Sequence, residues 1–132
     1  MEKKAKILLV DDDPDFVEAT RMVLESKPYQ VVVAFDGDEG LAKARKEKPD
    51  LILLDIIMPR MDGFKVCEKI KSDPELSGIP IIMITSFSER VGETSLAMSQ
   101  GLALEAEDFV DKPVAPAELL IRVERQLRKK TS

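Results

Sequence analysis

Residues 6–16 read KILLVDDDPDF, and the reading of this stretch decides the fold. The apolar run at 7–10 ends in Asp11, Asp12 and Asp13, with Asp15 close behind. Unbroken apolar character over four residues points to a strand covered on both faces, as in a parallel sheet. Carboxylates this close together repel one another, so something at the strand's end must make the arrangement worthwhile.

Working outward, ILLV has three counterparts: VVVA at 31–34, LILL at 51–54 and IIMI at 81–84, with a weaker FV at 109–110. Helical patterns lie between them. Phe16, Val17, Met22, Val23 and Leu24 fit one face of a first helix, which Asp13 can N-cap with Pro14 in its first position. Leu41 and Ala44 belong to a second helix, ending before Pro49. Phe64, Val66, Cys67 and Ile70 belong to a third, ending before Asp73. Residues 88–99 make a fourth, stopped at Gly101. Leu119, Leu120, Val123 and Leu127 make a fifth, started near Pro116. The alternation βαβαβαβαβα predicts an α/β fold: a doubly wound, five-stranded parallel sheet with right-handed crossovers and helices on both faces.

Composition narrows the classes. The 132 residues suit a single domain, 1–132, with a core over about 6–127 and no output domain. Twenty Lys and Arg against 25 Asp and Glu give a net charge of −5, from which no direct nucleic acid binding is expected. Histidine is absent, which excludes a Ser-His-Asp triad, a Cys-His pair and histidine-ligated zinc. Cys67 is the one cysteine, read as a half-buried thiol. No apolar stretch approaches about 18 residues, so no membrane span is expected, and a cytoplasmic location follows.

In doubly wound sheets ligands bind at the carboxyl ends of the strands. That rule gathers Asp11 and Asp12 after the first strand, Asp55 after the third, Thr85 and Ser86 after the fourth, and Lys112 after the fifth. Three carboxylates in one pocket call for a cation. All-oxygen ligation with few protein ligands suits Mg²⁺, which keeps several waters and often shares a phosphate. Phosphoryl transfer needs a nucleophile, a metal and donors for the equatorial oxygens. A carboxylate can be that nucleophile, giving an aspartyl phosphate, and Thr85 and Lys112 are suitable donors.

At this point LLVDDDP, LILLDIIMPRMDGF, IPIIMITS and DFVDKPV resemble the receiver domain of two-component response regulators, the CheY-like family. The resemblance runs from about Lys6 to Leu127. It implies a flavodoxin-like (βα)5 fold with strand order 2-1-3-4-5. It implies Asp55 as phosphoacceptor, Mg²⁺ held by Asp11, Asp12, Asp55 and the backbone carbonyl of Ile57, and phosphoryl contacts from Thr85, Ser86 and Lys112. Thr85 and Phe109 would be the switch pair, and the Lys112–Pro113 peptide would be cis. The implied partners are a sensor histidine kinase or a histidine phosphotransfer protein. A homodimer or a downstream protein would bind the face of the fourth helix, fifth strand and fifth helix. The chain would be a phosphorelay switch that catalyses its own phosphotransfer and slow dephosphorylation, rather than an enzyme.

Rival readings fail on particular residues. A haloacid-dehalogenase-like phosphatase would use Asp11 as nucleophile, but Asp15 stands where a Thr or Val is expected and no acidic pair follows Lys112. A calcium loop over Asp11, Asp13 and Asp15 fails because Phe16 holds the required glycine position and Met22 the glutamate position. Two departures from the family stand out. Thr85 and Lys112 are 27 residues apart, a few more than usual, with the extra length in GLALEAED at 101–108, whose Glu105, Glu107 and Asp108 are read as facing water. Phe109 also replaces the more frequent tyrosine.

Overall fold

The computed structural model describes residues 4–55, 63–85, 106–111 and 114–131. In chain order these form β1 (Ala5–Val10), α1 (Pro14–Glu25), β2 (Tyr29–Ala34), α2 (Gly37–Glu47), β3 (Leu51–Asp55), α3 (Gly63–Ser72), β4 (Ile81–Thr85), β5 (Asp108–Asp111) and α4 (Pro116–Thr131). The helix labelled α4 is the fifth expected from the sequence. The expected fourth, at 88–99, and its stop at Gly101 lie outside the described residues. The strands are all parallel, in the order β2-β1-β3-β4-β5, which is the doubly wound, flavodoxin-like arrangement expected.

The unbroken apolar runs divide by parity, because successive strand residues face opposite sides. Leu8, Val10, Ile52, Leu54, Ile81 and Met83 form one core with Leu41 and Ala44 of α2 and Val66, Cys67 and Ile70 of α3. Ile7, Leu9, Leu51, Leu53, Ile82 and Ile84 form the other with Val17 and Leu24 of α1 and Leu119 and Val123 of α4. Cys67 is fully rather than half buried.

Helix ends follow local chemistry. Asp13 caps α1, its Oδ1 accepting from the N–H groups of Asp15 at 3.0 Å and Phe16 at 3.4 Å. Asp36 caps α2 by accepting from Glu39 N–H at 2.8 Å, and the Glu39 carboxylate accepts in return from Phe35 N–H at 2.8 Å. That backbone bond, more than the nearby Lys43, holds the Glu39 carboxyl below its ordinary pKa despite some burial. Lys43 pairs with Glu39 at 3.1 Å and donates to the Val33 carbonyl at 2.6 Å. Lys48 ends α2 in the left-handed region, at φ 46°.

Two further expectations are corrected, and one buried pair falls where none was expected. Met22 is 66% exposed, because the buried stripe of α1 runs Val17, Thr20, Leu24 and Met22 falls about 140° round from Val17. Leu76 and Ile79 are buried although they lie in the turn between α3 and β4. Glu107 and Asp108 do not simply face water. Glu107 accepts from Lys71 Nζ at 2.9 Å and from Ile81 N–H at 2.7 Å, and Asp108 accepts from Arg122 Nη1 at 2.8 and 2.9 Å. Charges beside a strand start satisfy neighbouring main-chain and helix groups where these are within reach.

Candidate functional site

The β1–β3 ladder pairs Ile7 with Leu51 and continues through Val10 with Leu54. The next residue on each strand is a carboxylate: Asp11 and Asp55. Both are nearly dry, at 0% and 5% exposure, whereas Asp12 is exposed. Asp11 N–H donates to the Ala34 carbonyl at 3.0 Å, which carries the pairing with β2 one residue past Val10 and holds the Asp11 backbone. Asp11 Oδ1 accepts from Asp13 N–H at 3.0 Å, turning the chain sharply into the cap of α1.

Asp11, Asp12 and Asp55 each offer a carboxylate oxygen to a cluster whose atoms all lie within 4.8 Å of one another. The donors are hard oxygens, without nitrogen or sulfur, and they fit a hard divalent cation. Two dry carboxylates beside a third are costly when nothing offsets their charge. Asp13 is occupied in capping and is not in this cluster, which removes the alternating triplet that a calcium loop needs.

On the other half of the rim, the β4–β5 ladder ends with Thr85 beside Asp111. Phe109, paired with Met83, is half-buried and packs against the core under α2 and α3. The structure therefore brings three of the sequence-derived site residues together and sets the Thr85 backbone at the same end of the sheet. Ile57, Ser86, Phe87 and the Lys112–Pro113 peptide lie outside the described residues. Among the described residues, no helix is long and apolar enough to cross a membrane.

Comparison with known proteins agrees with this geometry. The family model for the response regulator receiver domain matches residues 7–124. The alkaline phosphatase synthesis transcriptional regulatory protein PhoP of Bacillus subtilis is 40% identical over 124 residues, covering 94% of this chain and 49% of that protein. The DNA-binding response regulator MtrA of Mycolicibacterium smegmatis is 38% identical over 126 residues, covering 96% of this chain and 52% of that protein. The crystal structure of a CheY-like receiver domain protein from Methanospirillum hungatei superposes with a TM-score of 0.83 at 31% identity, over 98% of both chains. The chain belongs to the response regulator receiver domain family, the phosphorylation-linked switches of two-component signalling.

These relatives overturn one expectation. The net charge of −5 argued against direct nucleic acid binding, yet the matching proteins are a DNA-binding response regulator and a transcriptional regulatory protein. The chain spans about half the length of each. The charge balance of one segment says nothing of a protein twice as long.

Proposed function

We propose that this receiver accepts a phosphoryl group on Asp55 from the phosphohistidine of a sensor histidine kinase or a histidine phosphotransfer protein. The convergence of Asp11, Asp12 and Asp55 within 4.8 Å at the ends of paired strands carries the reading. An Asp55 carboxylate oxygen attacks phosphorus, the P–N bond to the donor imidazole breaks, and the histidine leaves. Asp11, Asp12 and Asp55, with the Ile57 carbonyl, would hold Mg²⁺ directly or through water, and the ion would supply neutralisation of the phosphoryl charge.

Lys112 and Thr85, with Ser86 beside it, donate to the phosphoryl oxygens. The movement of Thr85 toward the phosphoryl group leaves space for Phe109. That would couple the rim to the face of β5 and α4, which the fourth helix expected from the sequence would share. The chain thus catalyses its own phosphotransfer and its slow dephosphorylation, working in the cytoplasm. Within a protein of its relatives' length, the output it governs is transcription.

The test is mass measurement after incubation with acetyl phosphate and Mg²⁺, where acetate is the leaving group. Wild type should gain one phosphoryl mass and Asp55→Asn none. Uptake by the Asn variant, or on Asp11, would remove the assignment.

A further inference from the structure

The end of the sheet opposite the carboxylate rim carries one arrangement twice. Just before β3, Asp50 N–H donates to the Lys6 carbonyl at 2.7 Å, while Asp50 Oδ2 accepts from Lys6 N–H at 2.8 Å. Just before β5, Glu107 N–H donates to the Ile81 carbonyl at 2.9 Å, while Glu107 Oε1 accepts from Ile81 N–H at 2.7 Å. In both, one acidic residue brackets one residue of the adjacent strand. The carboxylate replaces a main-chain carbonyl that a strand not yet begun does not supply. Each bracket has a lysine ion pair beside it. Lys6 Nζ pairs with Glu47 at 3.0 Å, and Lys71 Nζ reaches both Glu107 and the Ile79 carbonyl, at 2.9 and 3.1 Å.

We propose that Asp50 and Glu107 are positioning residues for the rim, each serving a different half of it. The brackets lie on the strand pairs that end in the site. The Asp50–Lys6 bracket is one step below Leu51–Ile7 in the ladder whose last pair, Leu54–Val10, is followed by Asp55 and Asp11. The Glu107–Ile81 bracket is one step below Asp108–Ile82 in the ladder that finishes at Asp111 and Thr85. Two bonds to one residue are satisfied in a single register. A slip of one residue would move the far strand end by about 3.3 Å and reverse its faces. The brackets fix that register four or five residues, about 13–16 Å, from the chemistry. The functional half of this inference rests on the aspartyl-phosphate reading above.

The role predicts a split. Asp50→Ala should move the backbone amide resonances of Asp11 and Asp55 in metal-free protein and weaken Mg²⁺ binding roughly tenfold, the low end for loss of an outer support. Glu107→Ala should move those of Thr85 and Asp111, leave Mg²⁺ affinity unchanged, and slow phosphorylation by acetyl phosphate roughly tenfold. Asp50→Asn and Glu107→Gln keep an accepting oxygen and should restore each function. Should an alanine variant fail to fold, Asp50→Glu and Glu107→Asp keep the charge, alter the reach and should give the same split in smaller measure. Unmoved rim resonances in folded variants would overturn the positioning role, as would losses of both functions that simply track stability. The resonance measurement needs neither metal nor phosphate. A wild type that takes up no phosphate therefore sinks the phosphoacceptor reading alone.

Discussion

Asp11 and Asp55 end neighbouring strands in step, each one residue past the paired Val10 and Leu54, with carboxylate oxygens within 4.8 Å. Strand pairing alone brings the two negative charges together, and both are buried. Carboxylates this close repel one another, and a bound cation would offset that charge.

Metal should stabilise the fold through these carboxylates. Mg²⁺ at about 100 times its dissociation constant should raise the unfolding free energy by about 2.7 kcal/mol. In the Asp11→Ala/Asp12→Ala double variant that gain should vanish, while Asp12→Ala alone should raise the metal-free denaturation midpoint by relieving repulsion. An equal Mg²⁺ gain in wild type and double variant would refute the site.

Gly40 is where α2 meets β1, and an added Cβ would come within 3.0 Å of both Val10 methyl groups. Gly40→Ala should destabilise by about 1–2 kcal/mol in urea titrations, since overpacking outweighs the roughly 1 kcal/mol gained in helix propensity. Because Val10 precedes Asp11, Mg²⁺ affinity should fall as well. A neutral or stabilising result would mean that α2 shifts freely on the sheet.

Glu39 gives a pH signature. Its carboxyl is held below its ordinary value of 4.5, first by Phe35 N–H. A depressed folded pKa contributes stability above the unfolded value and loses it as pH falls through the folded value. Glu39→Ala should therefore cost about 1 kcal/mol or less at neutral pH. The difference from wild type should shrink as the pH falls below 4.5, followed by urea midpoints across the acid range. A difference that grows toward acid would contradict the assigned bond.

Signal lifetime should depend on two residues that follow the site. Ile57 and Phe87 lie two positions beyond Asp55 and Thr85, and neither offers a hydrogen bond to orient an attacking water. Phosphoaspartate should hydrolyse slowly, and Ile57→Asn or Phe87→Glu should speed the loss of label. If neither does, lifetime is controlled elsewhere.

The sequence carried the sheet because ILLV, VVVA, LILL and IIMI are unbroken, and it carried α1 because Asp13-Pro14 is a strong local start. Asp11, Asp12 and Asp55 were legible for the same reason: each lies just where an apolar run stops. What stayed hidden depends on partners far along the chain. Glu107 meets Lys71 and Ile81, and Asp108 meets Arg122, so their charges look solvent-facing in any local window. Leu76 and Ile79 were missed because a turn has no periodicity to mark its buried side.

The bond from Lys43 to the Val33 carbonyl has a consequence for life in a crowded solution. β2 is an outer strand, and its outward main-chain groups are a template on which another chain could build fibre-like growth. Lys43 covers one of those groups with a charge already matched by Glu39. An incoming strand would have to expel the ammonium and leave Glu39 without its counterion. The same helix that closes one face of the core thus discourages aggregation along the sheet's border.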